Sequence, residues 1–222
     1  MRGMQTRAHG ARVGVLAAIP GELGALRGAA RERFRAFGVG LGVCELPSGL
    51  PVLTCVSGVG KVRAAAGAAA LLSAGVEGLV VVGLAGGLSR GMRTGDVVHC
   101  AVAVQADLAV QEDRIHTPDE EWSAAWRAAV PGEAVQFLTA DRPVIDPFKR
   151  AWLGLRWKGR SSADMETAAV AAVAERAGAR WAAMRVLSDR AGFGAGRSFR
   201  RHFEALAGRS ADTLDDWLPS QF

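Results

Sequence analysis

Three carboxylates sit where an α/β chain places its chemistry. Glu22 follows an apolar run at Pro20-Gly21, Glu166 opens an Ala/Val-rich run in Asp164-Met165-Glu166, and Asp189 closes Leu187-Ser188-Asp189-Arg190. A carboxylate can activate water, accept hydrogen bonds from sugar hydroxyls, or deliver a proton when burial keeps it neutral. Each acid also has a structural alternative. An anion in a first helical turn is favoured by about 0.3–1 kcal/mol, and Ser188 or Asp189 could simply cap a helix. In the functional reading Glu166 accepts both hydroxyls of a ribose over an apolar floor from Met165, and Asp189 donates to a leaving purine nitrogen.

Two glycine-rich turns accompany the acids. Ser57-Gly58-Val59-Gly60-Lys61 lies between a strand and a helix and is either a phosphate cradle or a tight βα turn. It is not a Walker A loop, because Cys55 and Val62 stand where that motif needs Gly and Ser or Thr. Gly83-Leu84-Ala85-Gly86-Gly87 lets backbone approach a ligand or turns the chain.

The elements that must position these residues alternate between strand and helix. Val13–Ala18 reads as a buried strand, Leu23–Phe37 as a helix with arginines on one face, and Val39–Leu46 and Val52–Ser57 as strands joined at Pro47-Ser48-Gly49. An Ala-rich helix, Lys61–Ala74, ends at Gly75. Strands follow at Leu79–Leu84, Asp96–Val104, Val135–Leu138 and Trp181–Leu187, with helices at Trp122–Val130, Pro147–Leu155, Glu166–Ala177 and His202–Trp217. Gln111–Glu121 reads as a mobile polar loop. The order predicts a single α/β domain, a central mixed twisted sheet flanked by helices on both faces, with ligands at the carboxyl ends of strands. Residues 1–11 are read as a basic N-terminal extension and 12–222 as that domain.

Composition narrows the classes. Half of the 222 residues are hydrophobic and 22% are charged, an ordinary globular balance. The net charge of +5 invites a nucleic-acid partner. Its clusters, Arg31, Arg33, Arg35 and Arg197, Arg200, Arg201, carry no nucleic-acid motif and read as solvated faces. Cys44, Cys55 and Cys100 form no C-x-x-C pair and read as reduced thiols of a cytoplasmic protein. His9, His99, His116 and His202 lack metal-ligand spacing, so no metal is expected. No apolar run reaches the ~20 residues that span a bilayer.

In order along the chain, these stretches resemble the nucleoside phosphorylase and nucleosidase superfamily, especially its 5′-methylthioadenosine/S-adenosylhomocysteine nucleosidase branch. The resemblance is carried by Val13–Leu23, Ser57–Val62, Gly83–Gly87 with Gly95-Asp96-Val97-Val98, Asp164–Ala168 and Arg185–Asp189. It implies hydrolysis of the N-ribosidic bond of a purine nucleoside without cofactor. Glu22 would activate water, Asp189 would protonate N7 of the base with help from Ser188, Glu166 would hold the ribose hydroxyls, and Met165 would pack beneath the sugar. Leu84, Gly86 and Val144 would complete the substrate pocket. It also implies a homodimer in which a neighbour's loop closes the 5′ end, with 111–121 as the candidate segment.

Departures from the family's pattern bear on the substrate. Leu84 stands where the nucleosidase branch often has a small hydroxyl residue, and it cannot hold phosphate, which favours hydrolysis. Leu84, with Ala106-Asp107-Leu108-Ala109, also resembles futalosine hydrolases and related phosphorylases. Those enzymes more often carry Asn at the position of Asp189, so Asp189 favours adenine. The resemblance places base contacts near 139–144, where Pro143 offers no N–H. A nucleoside-binding module without catalysis is the rival from another class.

Overall fold

The computed structural model describes residues 10–110, 114–191 and 195–222. Most of the expected N-terminal extension, and the start of the 111–121 segment, lie outside them. Eleven strands form one mixed sheet in the order β2-β3-β4-β1-β5-β11-β6-β10-β9-β7-β8. In chain order these are β1 (Val13–Ala17), β2 (Glu32–Ala36), β3 (Val39–Glu45), β4 (Pro51–Val56), β5 (Gly78–Val81) and β6 (Leu84–Gly87). The rest are β7 (Val97–Gln105), β8 (Ile115–His116), β9 (Glu133–Thr139), β10 (Ser161–Asp164) and β11 (Arg180–Asp189). Helices α1 (Lys61–Ser73), α2 (Glu120–Ala129), α3 (Pro147–Arg156), α4 (Thr167–Arg176), α5 (Ala195–Leu206) and α6 (Arg209–Asp212) complete the chain.

β11 joins the two halves of the sheet. Its first residues, Arg180–Ala183, pair in parallel with β5, and its last, Val186–Asp189, pair in parallel with β6. Met184–Val186 also pair antiparallel with β7. The second half therefore curls into a closed ring, β11-β6-β10-β9-β7, and the ends of β11, β6 and β10 converge.

Close packing fixes the layers. Helices α1 and α4 cover one face, burying Ala64, Ala68, Leu71, Ala168, Val170 and Ala171 against Leu16, Leu53, Leu79 and Val81. Each fully buried Leu or Val contributes roughly 1.5–3 kcal/mol through area removed from water. A Cβ on Gly67 would lie 3.0 Å from Cys55 Sγ, so α1 needs its small residues to sit this near β4. The other face buries Trp122, Trp126 and Trp217, the last two stacked with ring centroids 5.0 Å apart. Among the described residues no helix is long and apolar enough to cross a membrane.

The expected architecture of a mixed sheet between helices holds, with four corrections. The helix expected over Leu23–Phe37 is absent: a 3-10 turn, Pro20–Leu26, gives way to β2. Gly24 and Gly28 take positive φ (53° and 84°) and break the helix. Phe37 and Gly38 (φ 47° and 75°) then turn β2 back onto β3, as a primed hairpin turn requires. Arg31, Arg33 and Arg35 consequently sit on or beside an edge strand rather than on a helix.

The second correction concerns the glycine turn at 84–87, which is itself strand β6, paired with β10 and β11. Third, the polar segment before α2 is not simply a surface loop. Arg114 and His116 are buried, and His116 Nδ1 lies 2.7 Å from Glu175 Oε2. Fourth, the closing helix divides at Gly208 into α5 and α6, followed by 3-10 turns.

Candidate active site

Glu22 is placed by the 3-10 turn that ends β1. Pro20 begins the turn, where its missing N–H costs nothing. The Glu22 side chain folds back, so that Oε2 accepts the N–H groups of Ala18 (3.0 Å) and Ile19 (3.1 Å). Oε1 accepts the N–H of Leu84 at 2.9 Å, across the sheet. A Cβ on Gly83 would lie 2.5 Å from Glu22 Oε1 and 2.6 Å from Arg185 Nη1, so only glycine permits this approach. Burial pushes the Glu22 carboxyl above its ordinary range, opposed by Arg185 and the three N–H donors.

Glu166 is the residue before α4, and its Oε1 accepts the N–H of Gly60 at 3.1 Å. Burial raises its pKa to about 7; Arg185 and the Gly60 N–H oppose the rise, while Asp164 and Glu22 add to it. The glycine turn at 57–61 thus meets the Glu166 carboxyl through one backbone donor, the Gly60 N–H. Lys61 turns aside, 2.7 Å from Asp107 and 3.4 Å from Asp141.

Arg185 stands behind these acids, 1% exposed, and donates to Asp164 (3.0 Å), Glu166 (3.4 Å) and the Thr167 hydroxyl (3.1 Å) through Nη2, and to Val82 O (3.2 Å) through Nη1. Asp164 also accepts from the Thr139 hydroxyl at 2.5 Å and from the Thr167 hydroxyl. A buried charge must be paired, and this cluster pairs one guanidinium with several carboxylates. The sequence reading gave neither Arg185 nor Asp164 a role. The available signal was a lone arginine inside the otherwise apolar run Trp181–Leu187.

Asp189 ends β11. Its Oδ2 accepts the Ser188 hydroxyl at 2.7 Å and its Oδ1 the Ala191 N–H at 2.7 Å. Burial raises its pKa, while those two donors oppose the rise. A Cβ on Gly86 would lie 3.2 Å from Asp189 Oδ1, so glycine here keeps the space in front of the acid clear.

One cavity of about 310 Å³ is lined by Glu22, Leu84, Gly86, Val144, Met165, Glu166, Ser188 and Asp189 together. Arg142, Pro143, Ile145 and Phe199 complete its walls. A larger hollow of about 630 Å³ lies between the 3-10 turn and β2–β4. It is lined by Arg27, Arg33 and Arg35 but by none of the carboxylates, so the chemistry belongs to the smaller cavity. Among the described residues no group of three or more His, Cys, Asp or Glu could hold a metal ion. The cavity offers instead two buried carboxyl groups, Glu22 and Glu166, near one wall, and a carboxyl with an attached hydroxyl, Asp189 and Ser188, at the end of β11. It can take a small molecule with hydroxyls and a protonatable leaving group.

The fold and this site define a class. Residues 12–218 match the family model of the phosphorylase superfamily, and the chain belongs to that family. Within it the chain is similar to the 5′-methylthioadenosine/S-adenosylhomocysteine nucleosidase of Geobacillus kaustophilus, with 29% identity over 184 residues, covering 75% of this chain and 78% of the relative. Its fold matches the nucleosidase of the same name from Neisseria meningitidis, solved with methylthio-immucillin-A (TM-score 0.87, 24% identity, covering 94% of this chain and 98% of that one). Futalosine hydrolase of Helicobacter pylori has the same fold (TM-score 0.86, 22% identity, covering 95% and 98%).

Proposed function

We propose that the protein is a purine nucleosidase that hydrolyses the N-ribosidic bond of 5′-methylthioadenosine or S-adenosylhomocysteine, releasing adenine and a ribose derivative. The observation that carries this reading is the convergence of Glu22, Glu166 and Asp189 on one cavity. Glu22 takes a proton from water as the water oxygen bonds to C1′. The C1′–N9 bond breaks, its electron pair passes into the purine, and neutral Asp189 protonates N7. Carboxylates near the sugar stabilise the positive charge that builds there. Glu166 accepts the ribose hydroxyls, Met165 packs under the sugar, and Leu84, Gly86 and Val144 bound the base and ribose.

Hydrolysis is favoured over phosphorolysis because the Gly60 N–H is already engaged by Glu166 and because the Leu84 side chain gives the cavity wall an apolar surface. Incubation with 5′-methylthioadenosine, futalosine and inosine, each with and without phosphate, tests the reading through the base released. Adenine from the first substrate without phosphate is expected. Release only in the presence of phosphate overturns the hydrolase, and release from none favours a binding module. Leu84 in the wall also supports futalosine hydrolysis as a second reading, which the futalosine arm separates.

The same reading takes the protein as a cytoplasmic homodimer with no nucleic-acid partner. Phe148, Trp152 and Leu155 expose one apolar face of α3 (84%, 50% and 82% exposed), and Ile145 exposes another apolar side chain at the cavity rim. The three cysteines are free and buried, as suits a reducing compartment. Light scattering at micromolar concentration should return the mass of two chains.

A further inference from the structure

Residues 203–212 reach the site without lining the cavity. Ser210, fully buried in α6, accepts the N–H of Gly83 through its hydroxyl at 2.8 Å. The next residue, Leu84, provides the N–H that holds Glu22 Oε1. One hydroxyl therefore fixes the peptide that adjoins the one holding the carboxylate.

The turn carrying Glu22 is braced from the same segment. Gly208, just before α6, packs backbone to backbone on Gly24: a Cβ on Gly208 would lie 2.5 Å from Gly24 Cα. Gly208 itself has ordinary helical geometry (φ −79°), so glycine is needed there for the contact and not for the conformation. Asp212 accepts the Ala25 N–H at 2.7 Å, and the Phe203 ring lies against Gly21. Both backbone segments that shape Glu22 are thus backed by residues from 203–212.

We infer that Ser210 and Gly208 are positioning residues for Glu22, one setting the Leu84 donor and the other the turn from which Glu22 projects. The inference rests on the reading of Glu22 as the group that activates water. A carboxylate misplaced by a fraction of an ångström from the attacking water abstracts its proton less well.

The charged groups facing Glu22 are Arg185 of β11 and Glu166 before α4, and Asp164 of β10 stands behind them, paired with Arg185. On α6, Arg209 is engaged by Gly95 O and Asp212 by the Ala25 N–H. Since none of these changes when Ser210 loses its hydroxyl, a shift in the titration of Glu22 reports the lost donor.

The test compares Ser210→Ala, Gly208→Ala and Glu22→Gln in the full chain, with 5′-methylthioadenosine as substrate and thermal melting as a folding check. Ser210→Ala and Gly208→Ala should lower kcat by roughly 10- to 100-fold, with KM changed by less than about threefold. In Ser210→Ala the acidic limb of log kcat against pH should move to higher pH, because the Leu84 donor holds the Glu22 pKa down. A purely structural role would lower the melting temperature and leave that limb in place. If Gly208→Ala does not fold, because its Cβ meets the Gly24 backbone, Ser210→Ala still decides, since it removes a single hydroxyl. Unchanged kcat in folded Gly208→Ala, or in Ser210→Ala with an unmoved limb, overturns the inference while an inactive Glu22→Gln keeps the base. An active Glu22→Gln removes the base and the inference together.

Discussion

Glu166 Oε1 accepts the N–H of Gly60 at 3.1 Å, so the residue before α4 occupies a backbone donor at the N-terminus of α1. Such an N-terminus is otherwise well suited to phosphate. A phosphate there would have to displace a buried carboxylate and accept repulsion from Glu22 and Asp164 nearby. Turnover of 5′-methylthioadenosine should therefore stay within about twofold between zero and 50 mM phosphate, at constant ionic strength. An increase that saturates with phosphate would show a site for that ion.

Burial favours the neutral form of Asp189, which suits the proton-donor role proposed for it. Asp189→Asn keeps the shape and the Ala191 and Ser188 neighbours but cannot deliver the proton. General acid catalysis contributes about 10²- to 10⁴-fold, so kcat should fall by that factor while a nucleoside analogue still binds. Stopped turnover with intact analogue affinity in a titration calorimeter is the expected pair of results. Near-normal kcat removes the acid role.

How much of this was legible follows physical lines. Strands β1, β5 and β11 announce themselves as apolar runs, and Glu22, Glu166 and Asp189 are visible because each stands beside a strand or helix boundary. The strand β2 was hidden because Leu23, Leu26 and Ala30 mimic a helical period, although Gly24 and Gly28 warned of a break. Strand β10, Ser161–Asp164, is too short and polar to carry a periodic signal. Arg185 and Asp164 meet only because β10 and β11 converge through β6, a relationship of topology rather than local sequence. Ser210 has no sequence signal at all, since the bond its hydroxyl accepts from Gly83 crosses 127 positions.

Among the described residues, Arg185 is the cation that pairs with the cluster of Glu22, Asp164 and Glu166, and all four are buried. Arg185→Met preserves much of the volume but leaves the carboxyl groups uncompensated. The variant should lose about 3–5 kcal/mol of stability in urea unfolding, as buried pairs do when one partner is removed. The Glu166 pKa should climb above its value near 7, since Arg185 is the strongest influence holding it down. The loss should accordingly be smaller at pH 5.5, where protons can neutralise the acids, than at pH 8. Equal loss at both values would show that the guanidinium acts by packing alone.

The role proposed for Glu166 would set stability and substrate binding against one another as pH changes. Its pKa rises from 4.5 to about 7 on folding, so the folded chain binds the proton more tightly than the unfolded one. The stabilisation is fully present below about pH 4.5 and is lost as pH rises through 7. Ribose hydroxyls, however, are best accepted by the ionised carboxylate, so KM should fall over the same rise in pH. Glu166→Gln mimics the protonated form at every pH. Relative to the parent it should gain on the order of 1–2 kcal/mol in stability between pH 5.5 and pH 8, and its KM should stay high throughout. Parallel urea melts and KM measurements across that range check both halves. A parent KM independent of pH would separate Glu166 from the hydroxyls, and a pH-independent stability difference would place its titration elsewhere.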